Sequence, residues 1–226
     1  MLPQLENISK VAAALRPIRE RFVFAGAGIL PLFLDRNFGG VPRPTVDTDV
    51  VVPVVHYSEW SRLRDVLVAH GFLEYADDRK PRQILFRLGD LEVDFIPARM
   101  VEFGTANRWL SLGFDLAEPD VLKSGVTISR LPITAWLASK IAAFEQRGRQ
   151  DALVSRDLDD IVTLLLGRAN VVTDVRDAVP EIRVYIGAAF QAWQEQPLIW
   201  DAMDGCVRSA NERLRLDTVR SQLAST

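Results

Sequence analysis

The sequence predicts an α+β protein: a mixed sheet with helices over residues 1–131, followed by a helical bundle over 132–226. Three observations carry that expectation. Short valine- and phenylalanine-rich runs, punctuated by glycine and proline, recur up to Leu131. The pair Gly89-Asp90 separates two alternating runs, the signature of a hairpin. Beyond Pro132 the apolar residues recur at helical spacing instead.

The elements follow in order. Leu5, Ile8, Val11, Ala12 and Leu15 mark a helix over residues 4–20 with a basic end at Arg19 and Arg21. Phe22 to Ala25 is a short buried strand stopped by Gly26, and Ile29 to Leu34 reads as the first turns of a helix opening at the Gly26-Ala27-Gly28 turn. Residues 36–46 hold glycines, prolines and arginines and form a loop. Asp47 to Val55 is a second strand, and Tyr57 to His70 a helix ended by Gly71 at its C′ position. Gln83 to Leu88 and Leu91 to Ile96 are the hairpin arms; in the second arm Leu91, Val93 and Phe95 share one face, Glu92 and Asp94 the other. Residues 97–124 give no clear pattern, and Val126 to Leu131 reads as an edge strand. Trp136, Leu137, Ile141 and Phe144 then define one helix, and Leu158, Ile161, Val162 and Leu165 another, with two or three more between Glu181 and Leu223. The sequence contains no internal repeat.

Composition narrows the function classes. In 226 residues, 48% apolar and 25% charged, no apolar run approaches the ~18 residues that span a bilayer, and the N-terminus lacks a signal-peptide core, so the expected setting is the cytoplasm with no membrane partner. One cysteine, Cys206, excludes an internal disulfide and a thiolate zinc site, and two histidines, His56 and His70, exclude a histidine-rich one. A metal here is held by oxygen, which suits magnesium or manganese. The net charge of −3 argues against a broadly basic surface that coats nucleic acid. His56, His70, Cys206 and the scattered tryptophans read as structural or surface residues.

The chemistry concentrates at Arg43-Pro-Thr-Val-Asp-Thr-Asp49, followed by the valines 50–52. Asp47 and Asp49, one residue apart on a strand, project from the same face with Cα atoms about 6.8 Å apart. Singly, each aspartate would cap a loop or pair with Arg43 or Arg36. Together on a valine-marked strand they repel unless a cation lies between them, and Asp94 offers a third carboxylate from a neighbouring strand. Metal-assisted phosphoryl or nucleotidyl transfer uses such a set. Upstream, Gly26 and Ala27 form a turn where a phosphate can approach the backbone, although a strand-to-helix glycine turn is also simply a tight turn. Downstream, Lys140 and Arg147 lie seven residues apart on one helix face, and Ser155 caps a helix whose first turns carry Asp157, Asp159 and Asp160. A capped amphipathic helix explains those acids; Lys140, flanked by Trp136, Leu137, Ile141 and Phe144, lies nearer the buried side, where it can meet a triphosphate as a point charge.

Taken together these residues resemble the nucleotidyltransferase superfamily, whose core is shared with DNA polymerase beta and kanamycin nucleotidyltransferase. More closely the chain resembles the AbiEii-type nucleotidyltransferase toxins, in which an Arg-x-Thr-x-Asp-x-Asp run recurs: here Arg43, Thr45, Asp47 and Asp49. The later Lys…Arg helix and basic-Asp-x-x-Asp helix match Lys140, Arg147 and Arg156-Asp157-x-x-Asp160, so the likeness spans residues 23–166 and is only generic beyond. The resemblance implies a helical bundle closing one side of a cleft and magnesium-dependent transfer of a nucleoside monophosphate from an NTP to an acceptor hydroxyl. The tRNA acceptor end is one such acceptor, and a partner antitoxin protein is implied. It makes Asp47, Asp49 and Asp94 metal ligands, Asp94 the base, Gly26, Ala27, Arg43, Thr45 and Asp157 nucleotide contacts, and Lys140 both a catalytic and a nucleotide-binding cation. Ala27 stands where serine or glycine is usual, Thr48 replaces the usual apolar residue, and the stretch from Gly26 to Asp47 is longer than in minimal enzymes. A catalytically silent binding module and a metal-dependent phosphohydrolase are the alternatives.

Overall fold

The computed structural model describes residues 2–78, 84–99 and 107–226. The chain divides into two compact units, one of Met1–Ile29 with Pro44–Pro132 and one of Leu30–Arg43 with Ile133–Thr226. The excursion from Leu30 to Arg43, read from sequence with the N-terminal part, belongs to the second unit.

In the first unit α1 (Pro3–Leu15) buries Ile8, Val11 and Leu15. It ends before Arg19 and Arg21 because Pro17 has no N–H to continue the ladder. A seven-stranded sheet follows, built from β1 (Val23–Phe24), β2 (Asp47–Val52), β3 (Leu73–Tyr75), β4 (Leu85–Leu88), β5 (Leu91–Pro97), β6 (Glu118–Val121) and β7 (Thr127–Arg130). Their order is β3-β4-β5-β2-β1-β7-β6, with β2 parallel to β5, β1 parallel to β7 and the other neighbours antiparallel. Pro53 stops β2 short of the Val55 expected from sequence.

Thr48, Val50, Val93, Phe86 and Phe95 share one face by register and carry the core. The Phe95 ring lies 5.4 Å from Phe86, 5.6 Å from Phe72 and 6.3 Å from Phe22, all edge to face. α2 (Tyr57–Ala69) adds Trp60, 6.1 Å from Phe86. Its start is fixed by the Glu59 carboxylate, which accepts the N–H groups of Val55 (2.8 Å) and His56 (3.2 Å); Gly71, at φ +88°, turns the chain at its end.

Two readings change. The strand expected at the edge, β7, is internal, and the edges are β3 and β6, neither of which the sequence pattern marks. Edge strands that bury little show no alternation: Leu73 is 65% and Val121 66% exposed, and Pro119 occupies β6, where its missing N–H costs nothing on the outer side. Arg130 holds β6 in place through Asp120 (2.7 Å) and Glu118 (3.2 Å). The unassigned span also contains α3 (Arg108–Asp115), capped by the Asn107 side chain, which accepts the Trp109 N–H at 3.1 Å. Gln83, the start of the expected hairpin arm, lies outside the described residues.

The second unit is helical. α4 (Ile133–Ala143) is buried without a break from Ala135 to Ile141 and forms its centre. A π turn (Phe144–Gly148) and a 3-10 segment (Arg149–Val154) lead to α5 (Arg156–Gly167). A Cβ on Gly148 would lie 2.5 Å from the Ser155 hydroxyl oxygen, so a side chain there would displace Ser155. Ser155 caps α5 as expected, accepting the Leu158 N–H at 3.4 Å. α6 (Val171–Arg176), α7 (Pro180–Gln194), α8 (Pro197–Gly205) and α9 (Ala210–Ala224) complete the unit, with Trp193 between Phe144 (5.2 Å) and Phe190 (5.1 Å). The excursion joins through Phe33, 5.6 Å from the Trp136 ring, and through Asp35, whose N–H donates to the Gly167 carbonyl at 2.8 Å.

Phe95→Ala, which empties the centre of the ring cluster, is expected to cost about 3–5 kcal/mol in urea unfolding, whereas Leu198→Ala, at a position 79% exposed, changes stability by less than about 0.5 kcal/mol. Equal effects from the two variants would contradict this placement of the core.

Candidate active site

The parallel register of β2 and β5 assembles the carboxylates. Asp49 pairs with Asp94 and Asp47 with Glu92, so all four acids share the face opposite Val50 and Phe95. Adjacent strands lie about 4.8 Å apart, and like charges at that separation repel. Asp94 is buried (4% exposed), while Asp47, Asp49 and Glu92 are half-buried. The Thr45 hydroxyl donates to Asp47, orienting that carboxylate as β2 begins. The donors are all hard oxygens, which suits magnesium or manganese. Among the described residues no three acidic, imidazole or thiol side chains converge as a ready cage. Magnesium in nucleotide sites is commonly held by one or two carboxylates together with substrate phosphates, and Asp47 and Asp49 are two carboxylates on one face of β2.

Gly26 closes this group from the β1 side. The Ala25 N–H donates to the Asp49 carbonyl at 3.0 Å, which lays the turn directly on β2. At Gly26, φ is +63°, and a Cβ there would lie 1.7 Å from Asp49 Oδ2. A side chain at residue 26 and the Asp49 carboxylate would occupy the same space. The helix expected at Ile29 is a 3-10 segment, Ala27–Leu32, which begins immediately after the glycine.

The cations form a separate cluster within the second unit. Lys140 Nζ donates to Asp160 at 2.7 Å and to Asp157 at 3.0 Å. Arg43 grips Asp160 through two parallel bonds of 2.8 Å, and Arg147 donates to Asp157 at 2.9 Å. Asp160 is 1% exposed and Lys140 7%. Burial pushes the Lys140 ammonium towards deprotonation, but Asp160 and Asp157 outweigh it and hold its pKa above the usual lysine range. Arg147 reaches Asp157 from the π turn rather than from a continuous helix.

The structure thus brings Asp47, Asp49, Asp94 and Gly26 together on one sheet, and Arg43, Lys140, Arg147, Asp157 and Asp160 together in the helical unit. Sequence reasoning passed over Asp160 as a cluster centre. Its signal was present: Asp160 neighbours Ile161 and Leu164, so it falls on the buried side of α5, where a charge requires partners. Cys206 donates to Asp159 at 3.1 Å, and burial together with that carboxylate pushes its thiol up to about 12.

No protein-family profile matches this chain, and no curated protein matches it in sequence. Solved structures do. An antigenic nucleotidyltransferase-like protein from Paracoccidioides brasiliensis aligns over 92% of this chain and 95% of its own, at 16% identity and a TM-score of 0.51. The antibiotic-resistance factor ANT(2'')-Ia aligns at 13% identity over 86% of this chain and 95% of its own, with a TM-score of 0.49. The same factor in complex with adenylyl-2''-tobramycin aligns at 14% identity over 84% and 98%, also at 0.49. The first likeness establishes the fold: a nucleotidyltransferase-like α+β arrangement of mixed sheet and helices.

Asp160→Ala would leave the Lys140 ammonium and the Arg43 guanidinium short of a partner and is expected to cost about 3–5 kcal/mol in urea unfolding. Because its pKa is raised, the stability that Lys140 contributes is complete below the ordinary lysine range and is lost as pH climbs through the higher folded value. Wild type should therefore lose stability above about pH 10.4 more steeply than Lys140→Met. Parallel pH curves for the two proteins would contradict a buried, charged Lys140.

Proposed function

We propose that this chain is a nucleotidyltransferase that moves a nucleoside monophosphate from an NTP to an acceptor hydroxyl and releases pyrophosphate. The observation that supports it most is the register of Asp49 with Asp94, closed by Gly26 against the Asp49 carboxylate. Asp47 and Asp49 would hold magnesium, with manganese as a substitute, which would supply positive charge against the triphosphate. Asp94 takes the proton of the acceptor hydroxyl as its oxygen bonds to the α-phosphorus and the bond to the leaving pyrophosphate breaks. Gly26 and Ala27 approach the phosphates through backbone N–H groups, and Thr45 orients Asp47.

Lys140 and Asp157 enter this reading as positioning residues, because the ammonium is already committed to Asp157 and Asp160 in a buried cluster that also fixes Arg43. The likeness to AbiEii-type toxins adds finer expectations: the tRNA acceptor end as acceptor and an antitoxin as partner. Ala27, lacking the hydroxyl usual in that turn, favours a second reading in which the site binds nucleotide without turning it over.

The test measures melting temperature with magnesium and each common NTP, for wild type and for Asp47→Asn/Asp49→Asn, alongside release of pyrophosphate and of inorganic phosphate. One NTP should stabilise wild type, by about 2.7 kcal/mol at a hundredfold excess over its Kd, and leave the double variant unmoved. Asp49→Ala should lose pyrophosphate release while keeping its circular dichroism spectrum. Full activity in that variant would sink the proposal; binding without release selects the silent module, and inorganic phosphate in place of pyrophosphate selects a phosphohydrolase.

A further inference from the structure

The carboxylate face does not end at β5. Register carries it two strands further: Arg87 on β4 pairs with Glu92 on one side and Leu73 on the other, and Leu85 pairs with Asp94 and Tyr75. The rows Leu73-Arg87-Glu92-Asp47 and Tyr75-Leu85-Asp94-Asp49 therefore run across one face of one sheet. On the side of Asp49 that faces β1 stands Gly26, the phosphate turn of the proposed nucleotide site. On the other side stand Asp94 and, diagonal to it on the next strand, Arg87.

Arg87 is exposed, and an opposite charge directly across an antiparallel pair normally invites an ion pair. The structure shows another arrangement: the Arg87 guanidinium lies over the Tyr75 ring, 4.4 Å from its centroid. Stacking occupies the flat face of a guanidinium and leaves its edge N–H groups pointing outward in a fixed fork, the geometry that recognises phosphate oxygens. Diagonal neighbours on adjacent strands have Cα atoms about 7–8 Å apart, within reach of long side chains. A molecule whose hydroxyl meets Asp94 thus brings its next few atoms to Arg87.

We propose that Arg87, seated on Tyr75, is the acceptor subsite, and that it selects an acceptor carrying a phosphate close to the hydroxyl that Asp94 activates. This rests on the nucleotidyltransferase reading of the same face. A phosphate so placed belongs either to a mononucleotide or to the end of an RNA strand. An exposed guanidinium beside Glu92 and diagonal to Asp94 gives such a phosphate a cationic contact on a face that carries four acids. The exposed Leu73, beside Arg87 in register, adds apolar surface next to that cation.

The test needs no turnover to be read. Binding of a short fluorescein-labelled single-stranded RNA with a free 3′ hydroxyl is followed by anisotropy for wild type, Arg87→Glu, Arg87→Lys and Tyr75→Leu, with AMP as competitor. Transfer from an NTP radiolabelled at its α-phosphate is measured in parallel. Arg87→Glu should weaken acceptor binding about tenfold or more and raise the acceptor KM while leaving the NTP KM unchanged; Arg87→Lys should recover part of the loss. Competition by AMP identifies the mononucleotide as the ligand, and its failure identifies the strand end. Wild type that binds neither probe, or an Arg87→Glu protein that binds both as wild type does, overturns the inference. Loss of NTP binding or pyrophosphate release in wild type strikes the enzyme reading instead, and the anisotropy result still decides the subsite.

Discussion

The pairing of β2 with β5 is the constraint on which the candidate site depends. Two parallel strands in the interior of a sheet cannot slip by one residue without exchanging their core and outer faces. Val50 and Val52 on one strand and Val93 and Phe95 on the other, all at 0% exposure, favour this register by their burial. Asp47, Asp49, Glu92 and Asp94 occupy the alternate positions of those same strands and have no freedom to separate. The hydrophobic effect on one face holds together charges that would part on the other.

Gly26 shows how far that constraint reaches. β1 is two residues long, yet it joins β2 to β7 in the centre of the sheet. Its continuation has to clear the Asp49 carboxylate, and the only backbone that does so takes a positive φ with no Cβ. Thr48, placed among apolar neighbours and 2% exposed, belongs to the same strand but to the core face. Thr48 therefore lies on the packing side of β2, and the carboxylates keep the other.

Elements with strong internal patterns were legible before the structure: β2, α2, the β4–β5 hairpin and the Ser155 cap each carry their signal in a few consecutive residues. The common face of Asp47 and Asp49 follows from spacing alone. What escaped depends on pairing between distant residues. β3 and β6 are edge strands with little to bury, so nothing in their composition marks them. Arg43 appeared as a neighbour for the aspartates four and six residues ahead, yet it grips Asp160, 117 positions away. The register that places Arg87 diagonal to Asp94 cannot be read from either strand alone.

The two charge clusters are built on different principles. In the helical unit, Asp157 and Asp160 are almost wholly buried, and between them receive hydrogen bonds from Lys140, Arg43 and Arg147. Charges taken that far from water persist only with full partnership, which makes each one costly to remove and poorly available to a ligand. Such a cluster specifies how α4, α5 and the Leu30–Arg43 excursion pack. On the sheet, three of the four carboxylates are half-exposed, and they are set side by side by a register that the opposite face imposes. Carboxylates set side by side in that way favour a cation between them. The acids of the helical unit are held within their own unit by Lys140, Arg43 and Arg147, while those of the sheet are gathered by backbone register, and it is to the sheet that the proposed nucleotidyl transfer is assigned.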